Sequence, residues 1–265
     1  MPADAATAPP EPVAAVIFDV DGVLVASPHE RAWRESLTRL MEGEWAEIAA
    51  AISFRADRFT TAVYQEHVAG KPRMSGAAAV LDYFGVPDAG ARAVRYAEHK
   101  QLRIDELIDA GEFVAFADAI RFVIALKKLR FHLAAASSSR NANHFLCRIP
   151  LSDAGARADG APVGGTLLDV FDANVCGRDV EHGKPHPDLF LLAAAELGVA
   201  PAACMVVEDA PAGVEAAKSG GMLALGVARL DDDALLTAAG ADLVVSRLDD
   251  VQIGALAEGR LIRAS

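Results

Sequence analysis

Val16-Ile17-Phe18-Asp19-Val20-Asp21-Gly22-Val23-Leu24 decides the fold. An apolar run stops at two carboxylates one residue apart, and a glycine follows. Buried strands of parallel sheets read as unbroken apolar runs. Ligands of open α/β sheets bind at the carboxyl ends of such strands. The pair Asp19 and Asp21 is therefore placed where one carboxylate could attack and the other move a proton. Taken alone, the same letters also describe a strand followed by an Asp-Gly turn.

The rest of the chain supplies the context. Strand patterns are read over 14–18, 131–136, 170–176, 204–207, 222–227 and 241–245, although Asp172 and Asn174 weaken the third. Helical patterns alternate with them over 119–129, 188–197 and 212–219, with Gly198 and Gly220-Gly221 as stops. Repeated β-α units imply a parallel sheet with helices on both faces. Between about 29 and 112 the spacing is helical instead, through Trp33-Leu37-Leu40, Ala77-Val80-Leu81-Phe84 and Leu102-Leu107-Ile108. The expected architecture is α/β, with a helical module inserted after the first strand. The divisions are a tail over 1–12, a core over 13–28 and 113–265, and the insert over 29–112. The stretch 154–165, rich in small and turn residues, is read as a surface loop.

Composition narrows the function. The chain has 265 residues, 52% hydrophobic and 23% charged, with a net charge of −12. That acidity argues against nucleic acid and anionic membranes as partners. No apolar run approaches the roughly 18 residues of a membrane span. Ala/Pro-rich residues 1–12 lack the basic and apolar regions of a signal peptide. Cys147, Cys176 and Cys204 form no Cys-x-x-Cys pair, which suggests buried free thiols in a reducing compartment. A cytoplasmic monomer acting on a small molecule is the expectation.

Four polar signatures sit at strand ends or before helices: Asp19/Asp21, Ser137, Lys184 in Gly183-Lys184-Pro185, and Glu208-Asp209. Singly they read as a helix cap, a turn or a solvated loop. Together they supply a nucleophile, an acid/base, a hydroxyl donor, a cation and metal-binding carboxylates. A carboxylate attacking an anionic phosphate needs its charge offset. Mg²⁺ held by carboxylates does this, helped by a lysine and a hydroxyl donor. His182 and His186, flanking Lys184, are read as loop residues rather than zinc ligands.

In type and order these residues resemble the haloacid dehalogenase superfamily, from about 14 to 245. Val206-Val207-Glu208-Asp209-Ala210-Pro211-Ala212-Gly213 is similar to the fourth motif of its β-phosphoglucomutase-like branch. The resemblance implies a Rossmann-like core with a small helical cap. It casts Asp19 as nucleophile and Mg²⁺ ligand, and Asp21 as acid/base with its backbone carbonyl on the metal. Ser137 would hold the phosphate, with Ser138 and Asn141 also binding substrate, Lys184 would neutralise charge, and Glu208 with Asp209 would complete the metal site. Dehalogenation itself needs no metal, and its practitioners generally lack the second aspartate and the acidic metal motif that stand here.

In the insert, Gly70-Lys71-Pro72-Arg73-Met74-Ser75-Gly76 resembles a cap loop whose arginine, here Arg73, grips a distal phosphate. Lys100 matches a second phosphate-binding cation, and His29 a histidine that positions the acid/base aspartate. Read without the resemblance, Arg73 and Lys100 are helix-surface charges and His29 opens a helix after Ser27-Pro28. The implied activity is interconversion of β-glucose 1-phosphate and glucose 6-phosphate, or else hydrolysis of a small sugar or nucleotide phosphate. Three features depart from the family pattern. Val23–His29 is shortened and lacks an acidic residue, Phe116-Ala117-Asp118-Ala119 replaces a Pro-Gly entry with Asp118 as the expected helix cap, and the 154–165 loop is longer.

Overall fold

The computed structural model describes residues 12–68, 71, 73–151, 165–230 and 232–264. All but Pro12 of the expected tail, all but Gly165 of the expected loop, and Gly70 and Pro72 of the cap string lie outside them. The chain divides into two compact units, residues up to Ser27 with Val114–Ser265, and Pro28–Phe113. In chain order the strands are β1 (Ala15–Phe18), β2 (Val25–Ala26), β3 (Val114–Ala115), β4 (His132–Ala135), β5 (Ala173–Asn174), β6 (Cys204–Glu208), β7 (Leu223–Val227) and β8 (Leu243–Val245). The helices are α1 (His29–Glu42), α2 (Ala46–Ala51), α3 (Thr61–His67), α4 (Arg73–Tyr83), α5 (Ala89–Asp109), α6 (Ala117–Lys128), α7 (Ala142–Leu146), α8 (Asp188–Leu197), α9 (Pro211–Ser219), α10 (Asp233–Ala238) and α11 (Ile253–Leu256).

The first unit is the expected α/β core. Its six-stranded sheet has the order β5-β4-β1-β6-β7-β8, and every pairing is parallel. All four residues of β1 are buried, as an unbroken apolar run at the sheet centre requires. Successive side chains point to opposite faces. Ile17 joins Phe190 of α8 and Val214 of α9 in one core, while Phe18 meets Phe122 of α6 edge-on, ring centroids 6.1 Å apart. The sheet is thus covered on both sides. A separate antiparallel pair, β2 with β3, registers Val25 on Ala115 and Ala26 on Val114.

Three sequence expectations need correction here. The strand expected over 170–176 shrinks to Ala173–Asn174, behind a 3₁₀ turn at Leu167–Val170 that Thr166 and Asp169 cap reciprocally. At this sheet edge the Asp172 carboxylate accepts from the Leu133 N–H at 2.9 Å and from Lys127, so its side chain takes a place in the ladder. Asp118 is not the α6 cap. Phe116 holds that position without a side-chain bond, and Asp118 is buried inside the helix. The thiols are also not all buried, because Cys147 is exposed.

The second unit is helical. Trp33, Leu37, Leu40 and Met41 of α1, Val80 and Leu81 of α4 and Tyr96 of α5 share its core. The Tyr96 hydroxyl donates to the Trp33 carbonyl at 2.8 Å, which satisfies a polar group that burial would otherwise penalise. On α5 the buried stripe runs Ala93, Tyr96, Ala97, Lys100, Ile104, Leu107, Ile108. Leu102, expected in that stripe, falls off its face and is 62% exposed.

Candidate active site

The site is assembled by three neighbouring strands that end together. Phe18 is level with Ala135 of β4 and Val207 of β6. The next residues therefore emerge at one edge of the sheet: Asp19 after β1, Ser137 two residues beyond β4, and Glu208 and Asp209 at the end of β6. Backbone bonds extend the register past the strands, from the Asp19 N–H to the Val207 carbonyl at 3.0 Å and from the Ala136 N–H to the Phe18 carbonyl at 2.8 Å.

Lys184 reaches this edge from the loop before α8. Its ammonium donates to Asp19 Oδ1 at 2.6 Å and to Glu208 Oε1, and lies 4.9 Å from the Phe190 ring centroid. The other Glu208 oxygen accepts the backbone N–H groups of Asp209 and Ala210, at 3.0 and 3.1 Å. Glu208 is 1% exposed, and a Cβ on Gly213 would overlap its carboxylate. Both its oxygens are engaged, so the geometry fits Glu208 to holding Lys184 better than to holding a metal.

Asp209 lies against the turn that follows the other aspartates. Gly22 has φ +83°, and a Cβ there would overlap the Asp209 carboxylate. Glycine is thus needed twice, for its backbone conformation and for its missing side chain. Burial pushes the Asp19 carboxyl up to about 7, against the lowering influence of Lys184, with Glu208 and Asp21 adding repulsion. Burial and the Glu208 and Asp19 charges likewise raise Asp209 well above the usual carboxylate range. Burial would depress Lys184, but Asp19 and Glu208 outweigh it and raise the ammonium above its ordinary value. One lysine does not balance these crowded carboxylates. An oxygen-ligated divalent cation fits that excess, and Asp19 and Asp209 are the crowded carboxylates that could hold one.

Ser137 is buried at the end of β4, where its Oγ accepts the Ser139 N–H at 3.1 Å. Asn141 is also buried, whereas Ser138 is exposed. Asp19, Lys184 and Glu208 are joined by hydrogen bonds, and Ser137 and Asp209 follow strands that end at the same sheet edge. The residues expected from the insert belong to the second unit. Arg73 is the exposed first residue of α4. Lys100 is only 4% exposed, with its Nζ 3.3 Å from His29 Nδ1 and 5.5 Å from the Trp33 ring centroid. An ammonium can only donate, so His29 accepts through Nδ1. Lys100 is not the helix-surface charge of the plainer reading. Its place in the α5 stripe, four residues after Tyr96 and four before Ile104, was the sequence signal for its burial.

A desolvated carboxylate at the end of the central strand is thus paired with a loop lysine that a second acidic group, on the adjoining strand, also holds. The model of the haloacid dehalogenase-like hydrolases matches residues 13–221. The chain belongs to this family. As such it is a haloacid dehalogenase-type phosphotransferase or phosphatase. It is 32% identical over 252 residues to β-phosphoglucomutase of Bacillus subtilis, covering 92% of this chain and 94% of the relative. It is 30% identical over 234 residues to the phosphorylated carbohydrates phosphatase of Thermotoga maritima, covering 87% and 93%. Among solved structures it resembles an archaeal β-phosphoglucomutase from Pyrococcus sp., with a TM-score of 0.64, 27% identity and coverage of 93% and 99%.

Within this family site, sequence reasoning missed the residues that support the chemistry without taking part. Arg229, after β7, donates to the Val23 carbonyl at 3.3 Å and to Asp118 Oδ2 at 2.9 Å, and stacks on Phe116 at 4.0 Å. It thereby holds the chain just beyond Asp21-Gly22. No local motif marks it, because Val23, Phe116 and Asp118 all lie more than a hundred residues away in the sequence.

Proposed function

We propose that this protein is a Mg²⁺-dependent phosphosugar mutase that interconverts β-glucose 1-phosphate and glucose 6-phosphate. The observation that carries the reading is the Asp19–Lys184–Glu208 arrangement at the end of the central strand, in a chain that aligns with a β-phosphoglucomutase over nearly its whole length.

Asp19 attacks the phosphorus of the bound ester, forming an acyl-phosphate bond as the sugar oxygen leaves. Asp21 protonates that oxygen and then takes the proton of the hydroxyl that recaptures the phosphoryl group. Lys184, fixed by Glu208, offsets charge between nucleophile and phosphate. Ser137 donates its hydroxyl to a phosphoryl oxygen while its Oγ goes on accepting the Ser139 N–H. Mg²⁺ supplies further charge neutralisation for the carboxylates and the phosphate. Arg73, exposed at the start of α4, is the cation offered to a distal phosphate.

A second reading is a phosphatase with water as acceptor. It draws on the burial of Lys100 against His29 and Trp33, which leaves the two-cation grip on a bisphosphate resting on Arg73. It also draws on the likeness to a phosphatase of phosphorylated carbohydrates.

A product balance tests both. The protein with Mg²⁺ receives β-glucose 1-phosphate and a trace of β-glucose 1,6-bisphosphate, while glucose 6-phosphate and free phosphate are followed together. Glucose 6-phosphate without free phosphate supports the mutase. Stoichiometric free phosphate replaces it with the phosphatase.

A further inference from the structure

Outside the acidic site, the loop that carries Lys184 gathers a second set of metal-binding groups. In His182-Gly183-Lys184-Pro185-His186-Pro187-Asp188, the chain turns back through a bond from the His186 N–H to the Gly183 carbonyl at 3.0 Å. Asp188 Oδ2 accepts the His182 backbone N–H at 3.0 Å and lies 3.2 Å from His182 Nδ1. The imidazoles of His182 and His186 stack, with centroids 4.5 Å apart and planes 24° apart. One donor atom from each of His182, His186 and Asp188 lies within 4.8 Å of the other two.

We propose that His182, His186 and Asp188 form a surface site for a transition-metal ion of the zinc class. Two imidazoles and a carboxylate are a donor set that Zn²⁺ favours, with water in the fourth position. Mg²⁺ prefers oxygen throughout, so the two sites differ in selectivity. Zinc bonds of about 2.0–2.2 Å place tetrahedral donors roughly 3.3–3.6 Å apart. The exposed imidazoles reach that spacing by side-chain rotation. The Asp188 bonds to His182 already hold two of the three donors together, which lowers the ordering cost of binding. The net charge of −12 favours cation accumulation at the surface. A bound ion would brace the turn from which Lys184 reaches Asp19 and Glu208.

The test measures binding rather than turnover, so it stands whether or not the mutase reading does. Untagged full-length protein in excess Mg²⁺ is titrated with Zn²⁺ against a chromophoric chelator. One Zn²⁺ per chain is expected, with affinity lowered at least about tenfold in His186→Ala and the stoichiometric site lost in His182→Ala/His186→Ala. Asp188→Asn keeps an acceptor for the His182 N–H and should also weaken binding. Asp19→Asn/Asp209→Asn should leave it unchanged. Circular dichroism checks that each variant is folded. No Zn²⁺ uptake, uptake that survives the double histidine change, or uptake lost with Asp19 and Asp209 overturns the proposal.

Discussion

Asp19 and Asp21 carry the same side chain two positions apart, yet their surroundings fit them for different work. Asp19 ends a buried strand, where desolvation raises its carboxyl to about 7 even beside Lys184. Asp21 lies past the strand and is partly exposed. Gly22, beside the Asp209 carboxylate, leaves no room for a single added methyl group. Gly22→Ala must strain a φ of +83° and displace the Asp209 carboxylate. A loss of phosphoryl transfer of about a hundredfold or more is expected, near the scale set by misplacing catalytic groups, with the helical spectrum unchanged. Near-normal turnover in Gly22→Ala would show that Asp209 does not need its observed place. The thiols give a simpler contrast. Burial pushes Cys176 up to about 12 and Cys204 up to about 11, while Cys147 is exposed. An alkylating reagent near pH 8 should label one thiol per native chain, at Cys147, and three after denaturation. The sequence made the polar signatures readable one by one, because each ends an apolar run. It did not make readable that Glu208 spends both oxygens on Lys184 and on its own backbone, since that depends on α9 bringing Gly213 beneath it.

Elements with a strong local pattern were legible, and those stabilised from a distance were not. Helix α8 occupies the expected 188–197, where Gly198 supplies a left-handed stop, and β1, β4, β6 and β7 fall within a residue of expectation at most ends. β2, β3 and the short β5 carry too few residues to show a period. Asp118 is the clearest case of tertiary override. It reads as a helix cap, but its carboxylate instead accepts the Leu248 N–H at 2.8 Å and pairs with Arg229. Both side chains are largely buried, so removing one leaves an uncompensated charge, at a cost of about 3 kcal/mol. Arg229→Ala should lower stability in urea by roughly that amount at pH 7 and reduce turnover through loss of the Val23 contact. The pH dependence has a definite sign. Burial would raise the Asp118 carboxyl, but Arg229 and the Leu248 N–H outweigh it and leave it below its ordinary value. Its contribution is therefore complete above the unfolded-state pKa of about 3.9 and fades as pH falls through the lower folded value. Asp118→Asn should be clearly less stable than the parent at pH 6, and the gap should narrow below pH 4. A gap independent of pH would assign the loss to packing instead of charge.

At the scale of the molecule, the chain joins two units through adjacent backbone. Ala26 is paired with Val114 across the β2–β3 ladder, and everything between Pro28 and Phe113 forms the helical unit. The ends of the insert therefore sit at one short antiparallel pair, and each unit holds a core of its own. An Asn-Gly hairpin turn matches the twist of such a pair. Replacing 27–113 with Asn-Gly should leave a soluble α/β core that melts cooperatively, because no residue of the sheet or of the Asp19, Ser137, Lys184 and Asp209 constellation is removed. If the insert selects sugar phosphates and excludes water, as the family resemblance implies, the shortened protein should still hydrolyse an undemanding aryl phosphate in Mg²⁺. Its transfer to a sugar hydroxyl should fall by orders of magnitude, since the positioning that raises effective molarity is gone. Transfer to sugar at the parental rate would place acceptor selection in the α/β core. A shortened protein that folds but hydrolyses nothing would mean that the core chemistry itself depends on residues of the insert, with His29 the first to restore.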